Sequence, residues 1–351
     1  MSRPSSEPWR WEFVLSRKED ELLSAWLARS AAAHGLSFHR FAFDYLGQRA
    51  LTYRDVDVFP SARLLKNIEA GSRLSSEAVL AMTLVPWLAQ LSSGVGRPGH
   101  FDAVLPRAHV ARAKFRHGQQ ACFACLRDGV SYQRRWRLPF VVACERHEVW
   151  LRDACPYCDA PLDPKIDLAA QPMCPECYRS WFGPLPAQAG PDEAVMGLQR
   201  RLLVAVSTGQ GLVIDGQEVP LADGLRGFNF LLRIDQRLGR AEALPSARSP
   251  LRLEGRRLRL QRVVDLLDGW PDAIAADGKR CGLSNNPFSG ENCPQWVLRG
   301  LSGLRQAKPR ARGARGDEDP VLDMLRRRRP KNWRTRYAHR LMRLAGMTRG
   351  H

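Results

Sequence analysis

The fold is decided by residues 122–177, which carry four pairs of metal-ligand residues: Cys122-Phe123-Ala124-Cys125, Cys144-Glu145-Arg146-His147, Cys155-Pro156-Tyr157-Cys158 and Cys174-Pro175-Glu176-Cys177. Each pair has two residues between its ligands, which lets both side chains of a tight turn reach one ion. The first two pairs are separated by 18 residues and the last two by 15, room for a short hairpin or helical turn. The spacing predicts two tetrahedral zinc sites, one formed by Cys122, Cys125, Cys144 and His147 and the other by Cys155, Cys158, Cys174 and Cys177.

Other uses of these cysteines fit the pattern less well. A disulfide framework requires an oxidising compartment, and we expect no signal peptide because residues 1–11 are polar and lack an apolar core. A redox C-x-x-C motif explains one pair but not four, and an iron–sulfur cluster does not favour the set that contains His147. Sequential pairing closes shorter loops than crossed pairing, which stays open as the alternative. Four protein ligands leave no position for water, so both zinc ions are predicted to be structural.

The composition favours a soluble protein that associates with polyanions. The 351 residues include 54 Lys and Arg against 36 Asp and Glu, for a net charge of +18 and a pI near 10.2. Such a charge attracts nucleic acid, although a genome rich in arginine codons would leave the same bias. No apolar run reaches the ~18 residues of a membrane span. The sequence therefore predicts a cytoplasmic protein without a membrane partner.

The predicted fold class is mainly α with small zinc-ribbon or zinc-finger modules. An N-terminal helical domain with a helix–turn–helix precedes two consecutive zinc sites and a C-terminal helical basic domain. The predicted boundaries are 1–90 for the N-terminal domain, 91–120 for a basic linker, 121–182 for the double zinc-finger region, 192–305 for the C-terminal domain and 306–351 for a basic, arginine-rich tail.

Capping residues mark the predicted helices of the N-terminal domain. Ser16 and Glu19 fit a capping box for a helix that reaches about His34, and Ser37 caps a second helix that reaches Leu46. Apolar spacing beyond residue 190 predicts further helices at 192–208, 221–239, 257–269 and 294–304.

Residues 59–84 are typical of a helix–turn–helix. Gly71 and Ser72 form the predicted turn, and Ser75 or Ser76 caps the second helix. In DNA-binding modules of this length the second helix enters the major groove. Two short helices and a glycine turn also occur in domains that only pack together, so both interpretations stay open.

Two arginine-rich stretches are candidate DNA contacts. The first lies between the first two ligand pairs, where guanidinium and aromatic groups alternate and could stack on bases or bind phosphate. Equally, these arginines could pack within the first zinc module. We predict that Trp136 and Phe140 form the core of that module. The second stretch lies in the tail, where a solvated basic helix is the alternative. The candidate residues are Arg134, Arg135, Arg137, Arg326, Arg327, Arg328, Arg329, Arg334 and Arg336.

The sequence lacks the common catalytic motifs. It contains no G-x-x-x-x-G-K-[ST] phosphate loop, no G-x-S-x-G elbow and no H-E-x-x-H. Its carboxylates are scattered, and no strand pattern would hold the two metal ions of a DDE-type transposase. We therefore predict no enzymatic activity. Cys281 and Cys293 have no matching partners and are expected to be reduced thiols.

Two longer motifs fall within residues 10–182. The first is D-E-L-L-S-A-W-L-A-R at 20–29, followed by H-G-L-S at 34–37. The second connects ligand pairs, with C-x-x-C-L at 122–126, R-W-R-L-P-F at 135–140, C-x-x-H at 144–147 and L-x-x-x-C-P-x-C-x-x-P-L at 151–162. Both resemble the TniQ/TnsD family of transposon target-selection proteins. The chain departs from the family at Phe123, where proline is frequent, and at Glu148 and Asp159, where glycine is common.

The resemblance implies an accessory role in bacterial DNA transposition, without known catalysis. Family members recognise a DNA site or an RNA-guided CRISPR complex and recruit an AAA+ ATPase regulator, which brings in the transposase; some form homodimers. The resemblance also implies that the eight ligands bind zinc and that residues 59–84 are the N-terminal helix–turn–helix. Two functions stay open: a direct DNA target selector, and an adaptor that links a CRISPR complex to the transposition machinery with weak DNA contact.

Overall fold

The computed structural model describes residues 10–48, 54–91, 101–107, 109–111, 114–162, 173–174, 176–181, 183, 190–238, 252–281 and 293–302. Within these ranges helices dominate, which confirms the mainly α class. The helices are α1 Leu23–Ala33, α2 Phe38–Asp44, α3 Ala62–Ser72, α4 Ser76–Leu80, α5 Val85–Leu91, α6 Phe123–Arg127, α7 Glu193–Thr208, α8 Leu221–Arg237, α9 Leu253–Asp268, α10 Asp272–Arg280 and α11 Gln295–Gly300. Three antiparallel hairpins pair β1 His109–Ala111 with β2 Lys114–Arg116, β3 Ala143–Cys144 with β4 Val149–Trp150, and β5 Leu212–Ile214 with β6 Gln217–Val219.

Helix α1 begins later than predicted, because Ser16 and Glu19 form no capping box. Its N-cap is Leu22, which has no side-chain cap. The chain turns at Asp20, whose φ is +52°, and the N–H of Leu22 then donates to the carbonyl of Tyr132 at 2.9 Å. A hydrogen bond to a distant segment thus replaces the local cap that the sequence motif predicted.

Serine caps start the next three helices. The hydroxyls of Ser37, Ser61 and Ser75 accept from the backbone N–H three residues further on, at 3.2, 3.2 and 3.1 Å. The predicted caps at Ser37 and Ser75 are confirmed. Helix α4 has only five residues, and DNA recognition by the α3–α4 pair stays a prediction.

The turn between α3 and α4 lies at Arg73 rather than at the predicted Gly71 and Ser72, which both lie inside α3. Arg73 adopts a φ of +62°. Gly71 has another reason to be glycine: a Cβ there would lie 2.2 Å from Nε1 of Trp11. Its carbonyl also accepts from the N–H of Trp11 at 3.1 Å. Gly71 therefore permits close packing of an indole ring rather than a chain reversal.

Residues 101–107 lie within the predicted basic linker but pack into the protein interior. Phe101 is fully buried, and Val104 and Leu105 are 2% exposed. The N–H of Leu105 donates to the carbonyl of Arg137 at 2.8 Å, which ties this segment to the metal-ligand region.

The C-terminal helices are present, with some ends shifted. Helices α7 and α8 agree with the predicted ranges, whereas α9 begins four residues before 257. It begins there because Oδ2 of Asp153 accepts from the N–H of Leu253 at 2.7 Å and caps the helix from outside. Helix α11 ends at Gly300, before the predicted 304. Helix α10 and the β5–β6 hairpin were not predicted.

Two hydrophobic cores organise the described residues. The smaller core lies among α1–α4 and includes Trp26 and Phe41. The larger core extends from Leu22 to Leu301 and includes Trp136 and Phe140, as predicted, together with metal-ligand cysteines. The metal-ligand region and the C-terminal helices therefore share one interior.

No helix in the described part of the chain combines the length and the apolarity that crossing a membrane requires.

Candidate metal centres

Four side chains from residues 122–147 converge on one point, which we call the first centre: Cys122, Cys125, Cys144 and His147. Their ligand atoms all lie within 4.8 Å of one another. Nδ1 of His147 is 3.6, 3.3 and 3.6 Å from the three sulfur atoms, and Cys125 Sγ is 3.5 Å from Cys144 Sγ. Ligands about 2.0–2.3 Å from a tetrahedral ion are separated by roughly 3.3–3.8 Å. The side chains therefore stand at the separations that one ion requires.

Two local structures hold these ligands. Cys122 is the N-cap of α6, and its sulfur accepts from the N–H of Cys125 at 3.5 Å. Cys144 ends β3, where it pairs with Val149 of β4, and His147 lies in the turn between the two strands. A helix N-terminus and a hairpin turn thus supply two ligands each.

The second centre consists of four cysteines: Cys155, Cys158, Cys174 and Cys177. Their sulfur atoms also lie within 4.8 Å of one another, with 3.7 Å between Cys155 and Cys177 and 3.5 Å between Cys158 and Cys174. The structure groups both sets of ligands in sequential pairs, as the shorter loops predicted.

The residue after the second ligand adopts a left-handed backbone in three of the four pairs. Glu148, Asp159 and Tyr178 have φ values of +51°, +61° and +58°. This region is unfavourable for residues other than glycine. Two of these positions are those where the resembled family commonly has glycine, so the departure in sequence coincides with backbone strain.

Hydrogen bonds and burial shift the pKa values of the thiols of each centre in opposite directions. Contacts with Cys122 and Cys125 lower the pKa of Cys144 to about 2, against the opposite effect of burial. Burial also opposes ionisation of Cys155, yet the N–H of Tyr157 and other donors lower its pKa to about 7. Contacts with Cys122 and Cys144 raise the pKa of Cys125, and burial raises the pKa of Cys158 and of Cys174. The thiolate is the form of cysteine that binds metal ions, so one thiol in each centre is predisposed to that form, and the others would lose their protons as a metal binds.

The donor sets fit metal ions. Each centre offers four sulfur or nitrogen ligands, and four protein ligands complete a tetrahedron without a position for water. Such sites stabilise a fold rather than carry out chemistry. Cys281 is exposed and Cys293 is buried, and neither belongs to the clusters found in the described residues.

Arg134 and Arg135, predicted as DNA contacts, bind a carboxylate of the N-terminal segment. Their Nε atoms donate to Asp20 at 3.0 and 2.7 Å, and Arg134 also lies over the ring of Trp87 at 4.4 Å. Their side chains are 20% and 33% exposed. Both arginines therefore hold the N-terminal segment against the metal-ligand region, and contact with DNA stays a prediction for them.

Arg137, also predicted as a DNA contact, is enclosed by protein, and contact with DNA stays a prediction for it. Its side chain is 1% exposed. Nη2 donates to Asp55 and to the carbonyl of Leu105, both at 2.6 Å, and Nη1 donates to Asp57 at 3.4 Å. The predicted contacts at Arg326, Arg327, Arg328, Arg329, Arg334 and Arg336 lie outside the described residues.

Two polar residues beside the first centre were not predicted. Asp128 places Oδ2 3.0 Å from Nε2 of His147. Gln199, from α7, accepts with Oε1 from the N–H groups of Val142 and Ala143 at 2.8 and 3.1 Å. No spacing in the sequence marks either residue, because each partner lies on another element.

The family model TniQ matches residues 13–151, a stretch that contains α1–α6, the β3–β4 hairpin and the whole first centre. No curated protein matches the chain. TniQ is a family of transposition accessory proteins, not one of known catalysts. Residues 13–151 therefore match the TniQ family, which confirms the resemblance seen in the sequence.

Proposed function

We propose that the protein is a zinc-stabilised, DNA-binding accessory factor of transposition that selects the target site and recruits an AAA+ ATPase regulator and a transposase. The observation that carries this proposal is the position of the metal centres: the first lies inside the TniQ domain, and the second begins four residues after it. Both belong to the large core. The centres thus connect the family domain to the rest of the chain.

Zinc is the metal that we propose for both centres. Sets of four cysteines, or of three cysteines and one histidine, with paired ligands are typical of structural zinc, which takes tetrahedral sulfur and nitrogen coordination. Each ion would hold its module in place and add its binding energy to the stability of the fold.

DNA binding by the protein would depend mainly on its C-terminal tail. Residues 303–351 contain 15 Lys and Arg against 4 Asp and Glu, a large share of the net charge of +18. Arg326, Arg327, Arg328, Arg329, Arg334 and Arg336 belong to this segment. Clustered cations of this kind neutralise phosphates and make affinity depend on salt.

The adaptor function is the second candidate, and the central arginines favour it. Arg134 and Arg135 share Asp20, and Arg137 is buried between Asp55 and Asp57. The guanidinium groups that alternate with aromatic residues are thus neutralised within the protein. If the tail contributes little, DNA contact would be weak, and specificity would come from a partner such as an RNA-guided complex.

A salt series distinguishes the two functions. The zinc-loaded protein would be titrated with random duplex and with DNA from the attachment region of its own locus. Tight binding with a preference of roughly a thousandfold or more supports direct target selection. Binding that disappears near physiological salt and shows no sequence preference supports the adaptor.

Replacement of Arg326, Arg327, Arg328 and Arg329 by glutamine tests the tail directly. If all four contact phosphate, the slope of log affinity against log salt should fall by about 3–4. The matched control removes four exposed cations elsewhere: Arg200, Arg201, Lys279 and Arg280. An equal change in both variants would assign the effect to net charge, and an unchanged slope in the tail variant would contradict DNA binding by the tail.

A further inference from the structure

The histidine of the first centre has a carboxylate behind it. Oδ2 of Asp128 lies 3.0 Å from Nε2 of His147, while Nδ1 of the same ring faces the three sulfur atoms. A neutral imidazole carries one N–H, and the hydrogen bond made by one ring nitrogen decides whether the other can bind a metal. In this geometry Nδ1 of His147 faces the metal site and Nε2 faces the carboxylate.

We propose that Asp128 is a positioning residue of the first centre. Its carboxylate accepts the Nε2–H of His147, which leaves the lone pair of Nδ1 directed at the metal. The carboxylate also makes the imidazole a stronger ligand. This inference rests on the proposed binding of zinc at the first centre.

Helix α6 places the Asp128 carboxylate within hydrogen-bond distance of His147. Cys122 is the N-cap of this helix and Asp128 is its C-cap, with the N–H of Asp128 bonded to the carbonyl of Ala124 at 2.9 Å. One short helix thus carries two thiol ligands at its start and the carboxylate at its end. Nη2 of Arg146 lies 3.3 Å from the same carboxylate oxygen and holds it from the solvent side.

His147 needs this support more than the thiol ligands do. The three cysteines of the first centre are buried, whereas the side chains of His147 and Asp128 are 22% and 35% exposed. An imidazole at the surface can rotate towards water when nothing holds its outer nitrogen. The loss of Asp128 should therefore weaken the first centre alone, and the four cysteines of the second centre provide an internal reference.

The test is a competition titration of the full-length, zinc-loaded protein with a chromophoric chelator. In Asp128→Ala one of the two zinc ions should bind about 10–100-fold more weakly, the usual effect of removing such a partner, and the other should be unchanged. Asp128→Asn keeps an acceptor oxygen but loses the charge, so it should give an intermediate loss. Glu145→Gln is the matched control, because it removes a carboxylate next to Cys144 that makes no hydrogen bond to His147.

A double-mutant cycle tests whether Asp128 acts through the ring. In a His147→Cys background the first centre has four thiols, and Asp128→Ala should then have no effect on zinc affinity. The NMR signal of the His147 Nε2 proton gives a second measurement, since this proton should exchange faster with solvent in Asp128→Ala. A purely structural role for Asp128 would not depend on which ligand occupies position 147.

Each outcome decides the proposal. Wild-type zinc affinity in both Asp128 variants, or an equal loss in the His147→Cys background, would overturn it. If Asp128→Ala also loses the second zinc and fails to fold, the Asp128→Asn affinity and proton exchange decide in its place. A wild-type protein that binds no zinc would instead refute the proposed metal. This outcome is distinguishable from a failure of the Asp128 proposal, because it is seen in the wild type before any variant is compared.

Discussion

Replacement of Arg137 by methionine is expected to destabilise the protein by about 3–5 kcal/mol at neutral pH, the usual effect of removing one partner from a buried ion pair. Methionine is also long and unbranched but carries no charge. The guanidinium lies between Asp55, Asp57 and the carbonyl of Leu105, with 1% of the side chain exposed. The variant keeps the buried acceptors and loses their shared donor.

The contacts place the expected loss in the lower part of that range. The carbonyl of Leu105 loses donors at 2.9 and 2.6 Å, and a buried acceptor without a donor costs about 1–3 kcal/mol. Asp57 is 3% exposed but keeps the N–H and hydroxyl of Ser24 at 2.8 and 2.7 Å. Asp55 is 17% exposed and can turn towards water. In the variant, Asp57 is therefore the only one of the two carboxylates that stays buried without its cation, which limits the loss of stability.

The loss should become smaller as the pH falls. Burial raises the pKa of Asp57, Asp55 adds to this effect, and Arg137 opposes it. Without Arg137 the folded-state pKa of Asp57 rises further above the unfolded value. A carboxyl with a raised folded-state pKa contributes stability below the unfolded pKa and loses it as the pH rises through the folded pKa. The difference between wild type and variant should therefore be smaller near pH 5.5 than near pH 7.5.

Urea unfolding of the zinc-loaded proteins at both pH values measures this difference. Wild type and variant are compared at the same pH, so that the pH dependence of zinc binding largely cancels. Arg200→Met removes an exposed arginine that pairs with an exposed Glu193 and should leave stability unchanged. A loss below about 1 kcal/mol for Arg137→Met, or one that grows as the pH falls, would refute the reasoning. Unchanged stability with a reduced salt slope of DNA binding would instead make Arg137 a DNA contact.

Three further substitutions, one of them with a matched control, test the second metal centre, the packing of the N-terminal core and the backbone beside the first metal centre. Cys155→Ser should release one of the two zinc ions and disorder the second module, which metal content and circular dichroism would show; full zinc content would contradict the four-cysteine set. Gly71→Ala should destabilise the fold by about 1–3 kcal/mol through the clash with Trp11, whereas Gly197→Ala, in a helix with open space around it, should stabilise by about 0.5–1 kcal/mol. Glu148→Gly should raise the free energy of unfolding by about 0.5–1 kcal/mol through relief of its left-handed backbone, and a decrease would show that the side chain contributes more than the strain costs.

The metal centres could be predicted from the sequence because their information is local. Two ligands that are three residues apart bring both side chains to one ion without help from the rest of the fold. The grouping of Cys122 with Cys144, and of Cys155 with Cys174, followed from the shorter loop alone. Serine caps such as Ser37 are equally local, since the hydroxyl reaches an N–H within the same turn.

The misplaced helix start and the misplaced turn share a physical cause. Ser16 does not cap α1, because the helix begins only after Leu22, where the N–H of Leu22 donates to the carbonyl of Tyr132, 110 positions later. Because glycine favours turns, the sequence predicts a turn at Gly71, but the glycine is required there by the indole ring of Trp11. The local preference of serine for a helix cap, or of glycine for a turn, is weaker than a tertiary hydrogen bond or a steric clash.

Charge patterns along the chain are poor predictors of which arginines meet solvent. Arg137 stands among residues that suggest a basic binding surface, yet its carboxylate partners lie 82 and 80 positions earlier. No local rule reveals such partners. The sequence signal that would have helped is the pair Asp55 and Asp57, since closely spaced carboxylates that become buried require a cation.

The two centres are joined to different parts of the protein, an arrangement that gives each of them a separate role in the proposed function. Arg134 and Arg135 bind Asp20, so the segment next to the first centre anchors the N-terminal helices. Asp159, which follows a ligand of the second centre, binds Arg252 at the start of α9 with bonds of 2.8 and 2.7 Å. Because residues of both modules lie in one core, their metal ions would fix how the TniQ domain is oriented towards the C-terminal helices. Loss of the first ion should therefore loosen mainly the N-terminal helices, and loss of the second should loosen mainly α9. Site-resolved hydrogen exchange would distinguish these two effects, because it measures the opening of each segment separately. An assay of targeting activity would not distinguish them.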